Sequence, residues 1–142
     1  MSANSRLTIA THALTWMAYH ERLGGQWTTS EQLAGSVRTN PVVIRRLMAE
    51  LVKHKLLESG RGPGAGWRLA RPPEQITLAQ LAEALGSEPA FAMHRNEPSP
   101  ICPVAQGIRP ALVPIYSRVE DAIRRELEAT SVADVLRDTL PA

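Results

Sequence analysis

Residues 60–66, GRGPGAG, constrain the fold more than any other stretch of the chain. Four glycines and a proline in seven residues exclude a helix or a central strand and leave a reversal of direction. Residues 56–59 (LLES) and 67–70 (WRLA) on either side read as two short strands, which makes the stretch a hairpin loop. A nucleotide-cradling loop is excluded by context. No helix start follows to receive a phosphate, and no lysine–hydroxyl pair ends the loop.

What precedes the hairpin is helical. Between residues 5 and 20, Leu7, Ile9, Ala10, Ala13, Leu14, Met17 and Ala18 step by threes and fours and predict one amphipathic helix. Glycines 24 and 25 break it. Thr28 with Glu31 predicts a capping box that opens a short second helix through Leu33, Ala34 and Val37. Asn40 followed by Pro41 gives a second start signal, because asparagine caps well and proline is tolerated in the first helical turn. The third helix then runs to about Lys55, with Ile44, Leu47, Leu51 and either Val43 or Met48 inward. Two short helices joined by SVRTN form a helix-turn-helix, and a hairpin directly behind the second of them is a wing.

After the wing, Thr77 and Gln80 predict a capped helix closed by Gly86. Residues 87–103 hold four prolines and little periodicity, so they read as a linker. Val104, Ile108, Leu112, Ile115, Val119, Ile123 and Leu127 then mark a long helix from about Pro103 to Ala129, which Pro110 and Pro114 should kink or shorten. Its apolar seam has no evident cover within so short a chain, which suggests pairing with a second copy; folding back on the first helix is the alternative. A last segment from Ser131 would add one or two capped turns. The expected fold is mainly α with a small β-hairpin wing: a winged helix-turn-helix domain at 1–86, a linker or sensor loop at 87–102, and a dimerisation helix and tail at 103–142.

Charge is unevenly spread. Residues 1–71 carry ten Lys and Arg against four Asp and Glu, whereas residues 72–142 carry six against ten. A basic helix-turn-helix half is the electrostatic footprint of a polyanion partner, and by charge alone a solvated basic face is the equal alternative. No apolar run is long enough to span a membrane and the start of the chain lacks a secretory pattern, so the expectation is a cytoplasmic protein. Cys102, the one cysteine, excludes an internal disulfide, and the four histidines show no ligand-like spacing.

The stretches LTIATHAL at 7–14, RGPGAGWRLARPPEQITLAQLAEALG at 61–86 and SPICPVAQGI at 99–108 resemble the Rrf-type winged-helix regulators of bacteria, a group that includes iron–sulfur and nitric-oxide sensors. The resemblance implies a homodimeric transcriptional regulator, in the first instance a repressor, bound to a double-stranded DNA operator. Its third helix would lie in the major groove and its wing tip in the minor groove. Carried over by position, Thr39, Asn40, Val42 and Arg45 fall where such regulators approach bases, and Arg61 falls at the basic place of the wing. Thr28, Arg46, Lys53, Gly62 and Gly64 complete the expected DNA surface. Ala65 stands where the group commonly has glycine, which matters only if that residue needs positive φ.

The sensing segment departs from the group. Cluster-binding members carry three cysteines in the stretch matching residues 87–105 and a further ligand just after; here Cys102 alone remains, and Ala105 stands at the place of the histidine. No cofactor, and no iron–sulfur cluster of the familiar kind, is therefore expected. Cys102 at a helix start would instead suit an oxidant sensor, since a helix N-terminus favours the thiolate; the bland reading is a buried small apolar residue. A small-molecule effector near Trp16, Tyr19, Trp27 or Phe91 is a further reading of the signal, against plain core packing of those rings. A winged helix used only for protein association is the rival function. An enzyme with a Cys102 nucleophile is excluded because the sequence places no histidine and orienting partner beside it.

Overall fold

The computed structural model describes residues 3–141. Its elements are α1 (Ala3–Arg22), α2 (Ser30–Val37), α3 (Pro41–Lys53), β1 (Leu57–Ser59), β2 (Trp67–Leu69), a 3-10 turn (Pro73–Gln75), α4 (Leu78–Ala84), α5 (Pro103–Glu128) and α6 (Val132–Thr139). The chain divides into two compact units: residues up to Ser87 together with those from Leu127 onward, and Glu88–Glu126.

In the first unit the apolar stripes foreseen from spacing form the core. Ala10, Ala13, Leu14 and Met17 of α1, Leu33 of α2, and Ile44, Leu47, Met48 and Leu51 of α3 are all buried. On α3 the inward set is spaced 3, 1 and 3, so Met48 takes the core position and Val43 is only partly buried against it. The opposite face of the same helix leaves Arg45 and Arg46 exposed. Asn40 caps α3, its Oδ1 accepting the Val42 N–H at 2.8 Å, and Arg38 closes α2 in the left-handed region at φ 61°.

The start of α2 differs from expectation by one residue. Thr29, not Thr28, is its cap. Thr29 Oγ1 accepts the Gln32 N–H at 3.2 Å while Gln32 Oε1 accepts the Thr29 N–H at 2.9 Å. Thr28 is committed elsewhere: its N–H donates to the Trp67 carbonyl at 2.8 Å and its carbonyl accepts the Trp67 N–H at 2.9 Å. That bridge adds a third short run of backbone to the hairpin, whose two strands pair antiparallel with Leu57 opposite Leu69, Glu58 opposite Arg68 and Ser59 opposite Trp67. Gly66 sits where the bridge passes, at φ +80°, and a Cβ there would overlap the Thr28 carbonyl. Ala65 is not among the residues with positive φ, so its departure from glycine carries no backbone strain.

The last helix was expected to go with the long one, as residues 103–142. Instead α6 packs on α1, with Val132 and Leu136 buried in the core of the first unit. Two backbone bonds fix it: Val132 N–H to the Ile76 carbonyl at 2.8 Å, and Leu78 N–H to the Thr130 carbonyl at 2.9 Å. These lay the start of α6 beside the start of α4, and each start is closed by its own capping box, Ser131 with Asp134 and Thr77 with Gln80.

In the second unit, α5 is helical from Pro103 through both Pro110 and Pro114. Of the two expectations for these prolines, a kink or a shortened helix, the shortening does not hold. Proline removes a donor, and here the carbonyls so freed lie on an exposed helix where water can reach them. Arg109 ties the linker to this helix, donating to Glu97 Oε1 at 3.0 Å and to the carbonyls of Asn96 at 3.2 Å and His94 at 3.3 Å. Glu120 accepts the Ala90 N–H at 2.7 Å, and the Phe91 and Tyr116 rings meet at 5.4 Å between centroids. The segment read from its prolines as a loose linker is thus held by side chains of α5.

Candidate nucleic-acid interface

Arg45 projects from the exposed face of α3 toward the wing. Its Nη1 donates to Ser30 Oγ at 3.4 Å, and the guanidinium lines a hollow of about 310 Å³ together with Ser30, Glu31, Gly60, Gly62 and Gly64. The helix that would read bases and the hairpin that follows it therefore share one concave surface. Gly62 and Gly64 take φ +86° and +73° with open space about them, which leaves the wing tip free of side-chain bulk. This is the arrangement in which backbone can come close to a phosphate.

Arg61 is exposed but does not enter that hollow. It lines a neighbouring one of about 590 Å³ with Trp27, Glu58, Ser59, Gly60, Ala65 and Arg68. Ser59, Gly60 and Ala65 border both hollows, so the two arginines flank the root of the wing. Arg46 is exposed on α3, and exposed Lys53 sits 4.0 Å from Glu50. Val42 is exposed at the first turn of α3, Thr39 is half-buried, and Asn40 spends its side-chain oxygen on the cap.

Thr28 must be withdrawn from the expected DNA surface. It is 1 % exposed, and both its backbone groups are bonded to Trp67, so it supports the wing from beneath. Sequence reasoning in turn gave Glu58 and Arg68 no place in the site and weighed Trp27 only for an effector. The signal was available: a seven-residue loop closing two strands sets Ser59 opposite Trp67, and that register sets Glu58 opposite Arg68. Arg68 lies with its guanidinium carbon 4.5 Å from the centre of the Trp27 ring and donates to Glu58 at 2.7 Å. Behind it, Glu21 accepts the Leu69 N–H at 3.3 Å; burial pushes its carboxyl above the ordinary range, while that bond and nearby Arg68 and His20 pull the other way.

Cys102 is exposed, not buried as a small apolar side chain would be. It immediately precedes α5, its N–H donating to Ser99 Oγ at 3.3 Å and its carbonyl accepting the Gln106 N–H at 3.1 Å. Among the described residues no three His, Cys, Asp or Glu side chains come together to hold a metal ion. Of the four aromatic residues weighed for an effector, only Trp16 and Tyr19 come together. Trp16 and Tyr19 line an open groove of about 630 Å³ with Leu7, Leu78, Leu136 and Leu140, Trp27 belongs to the wing, and Phe91 packs on Tyr116. Among the described residues no helix is long and apolar enough to cross a membrane.

A family model described as Rrf2, iron-dependent transcriptional regulator, matches residues 3–138. YwnA of Bacillus subtilis (strain 168), named as an HTH-type transcriptional regulator, is 40 % identical over 135 residues, spanning 94 % of this chain and 96 % of its own. The HTH-type transcriptional regulator IscR of Cereibacter sphaeroides is 29 % identical over 94 residues, 66 % of this chain and 60 % of its own. A crystal structure described as that of a DNA binding protein superposes with a TM-score of 0.72 at 34 % identity, covering 92 % of this chain and 98 % of that one. These relatives are transcriptional regulators rather than enzymes. The chain, a mainly helical fold with a two-stranded wing, belongs to the Rrf2 family of transcriptional regulators.

Proposed function

We propose that the protein is a sequence-specific regulator that binds a duplex operator as a homodimer, α3 entering the major groove and the wing the neighbouring minor groove. The observation that carries this reading is the shared hollow of Arg45 and the wing glycines, which turns helix and hairpin toward one surface. Arg45 would read guanine O6 and N7, a contact worth about 1–3 kcal/mol of discrimination. Thr39, Asn40 and Val42 would border the same bases, while Arg46, Lys53, Arg61 and the backbone of Gly62 and Gly64 would meet phosphates. The regulator would act as a repressor in the cytoplasm, where its operator lies.

Pairing of two copies is supported by α5. None of its 26 residues is buried, and Val104, Ile115 and Ile123, spaced 11 and 8 residues apart toward one side of the helix, are exposed. A monomer seldom leaves such a stripe bare, and two-fold pairing would present two helix-and-wing surfaces to the two halves of an operator.

The test is binding of the purified protein to the DNA upstream of its own gene, followed across a sodium chloride titration. Affinity should fall linearly on a log–log plot with a slope of several, and competitor duplex should bind far more weakly. Affinity indifferent to salt, or none, would leave the wing to protein association alone. Sedimentation of the free protein at micromolar concentration should give twice the mass of the chain; a monomer in solution and on DNA would remove the homodimer.

The iron in the family's description does not fit these residues. One exposed thiol per chain, with alanine at 105, offers no ligand set for an iron–sulfur cluster. Exposure of Cys102 favours an oxidant as the signal instead. Hydrogen peroxide would take the thiolate to sulfenic acid, an S–O bond forming as the O–O bond breaks and hydroxide leaves to take a proton from solvent, and the change at the start of α5 would alter how the paired copies hold their wings.

A further inference from the structure

At the root of the wing, in the hollow that Arg61 also borders, a carboxylate and a guanidinium occupy each other. Glu58 and Arg68 are opposite one another in the hairpin register, and Arg68 Nε donates to Glu58 Oε2 at 2.7 Å. Arg68 is also laid over the Trp27 ring at 4.5 Å, which limits the directions in which its fork can point. Arg61 borders the same open hollow, so two guanidinium groups face it, and Glu58 is the one carboxylate among its lining residues. Both members of the pair are about half exposed, 45 % and 50 %. A pair so open to water contributes little to the hairpin, which leaves its cost to any anion arriving in the hollow as its larger effect.

We propose that Trp27, Glu58 and Arg68 form a gated clamp for a phosphate of the duplex backbone. The inference rests on the DNA-binding reading above and assigns it a further contact. The planar fork of Arg68 offers the same donors to a phosphate as to a carboxylate, so an arriving phosphate competes with Glu58 for them. Trp27 holds the guanidinium in place during the exchange, and Arg61 shares the phosphate charge. Glu58 repels the phosphate and must yield its bond. Since a phosphate is alike at every base pair, the gate sets the level of affinity for all duplexes and leaves the preference among sequences to α3.

The experiment measures affinity of the full-length protein for an operator fragment and for an unrelated duplex, across salt, for wild type, Glu58→Gln, Arg68→Gln, Arg68→Lys and the double variant Glu58→Gln/Arg68→Gln. Glu58→Gln should bind both duplexes about two- to fivefold more tightly at ~0.1 M salt, with their ratio unchanged. Arg68→Gln should weaken both and reduce the salt slope by about one, and Arg68→Lys should restore the slope without the full affinity. In the Arg68→Gln background the gain from Glu58→Gln should shrink, because the phosphate no longer has a seat beside residue 58. If the pair is only a strand-to-strand brace, Glu58→Gln leaves affinity unchanged or lowers it, and the clamp is overturned while wild-type binding stands. Should Arg68→Gln fail to fold, seen as loss of its thermal transition, the Glu58→Gln arm decides alone. Absence of salt-dependent binding by the wild type would instead bring down the DNA-binding reading itself.

Discussion

Alanine at position 66 is expected to destabilise the first unit by about 1.5–5 kcal/mol, and the structure separates that figure into two parts. Gly66 lies at φ +80°, and forcing an L-residue into the left-handed region costs roughly 1–2 kcal/mol. The added Cβ would also overlap the Thr28 carbonyl, which accepts the Trp67 N–H at 2.9 Å while Trp67 returns a bond to the Thr28 N–H at 2.8 Å. Separating the strands to relieve the overlap weakens one or both bonds, each worth about 0.5–1.5 kcal/mol. Gly62→Ala is the internal control: φ there is +86° but nothing lies within 4 Å of an added Cβ, so only the first part applies. Urea titrations followed by far-ultraviolet circular dichroism and by fluorescence, with Trp27 and Trp67 at the wing, would give both values. Gly66→Ala should exceed Gly62→Ala by about 0.5–3 kcal/mol and should also weaken duplex binding by displacing the wing. Equal losses for the two would refute the idea that the bridge to Thr28 is what positions the hairpin.

Four further outcomes are expected. Arg45→Ala should lower preference for the operator by about 1–3 kcal/mol, whereas Arg61→Ala should weaken all duplexes alike; competition binding would show equal loss of specificity from both if this division is wrong. Leu136→Ala, 3 % exposed in the core of the first unit, should cost about 2–4 kcal/mol in chemical unfolding, and a neutral result would mean that α6 is not seated on α1. The Ser131 N–H and hydroxyl, then Arg137, hold the Asp134 carboxyl below its usual 3.8. Its contribution is therefore complete above that value and is lost as pH falls through the lower folded value, so Asp134→Asn should flatten the acid limb of the stability curve. Cys102→Ser should abolish loss of operator binding on peroxide treatment; a variant that still responds removes the thiol from the signal.

How much could be read from the chain alone depends on how far apart the interacting groups lie. Asn40 with Pro41, Thr77 with Gln80, Ser131 ahead of α6 and the glycines of the wing all act over two to four residues, and each was placed correctly. The core stripe of α3 was legible for the same reason, since helical pitch alone brings Ile44, Leu47 and Leu51 to one side. Between Thr28 and Thr29 the sequence offered two adjacent hydroxyls able to cap. The choice was made by Trp67, 39 residues along, whose strand claims the backbone of Thr28. Likewise α6 carries a strongly amphipathic pattern that says it must be covered but not by what, and its partners on α1 lie more than a hundred residues away. The pairing of Arg68 with Glu58 follows from the register that the loop length sets, whereas the stacking of Arg68 on Trp27 comes from a neighbouring segment that no local spacing indicates. The sequence determined the kinds of element, their caps and the basic character of the DNA-facing half. Tertiary structure decided which of several equivalent residues each surface would use, because backbone groups and apolar faces distant along the chain compete for the same partners and only the folded arrangement resolves that competition.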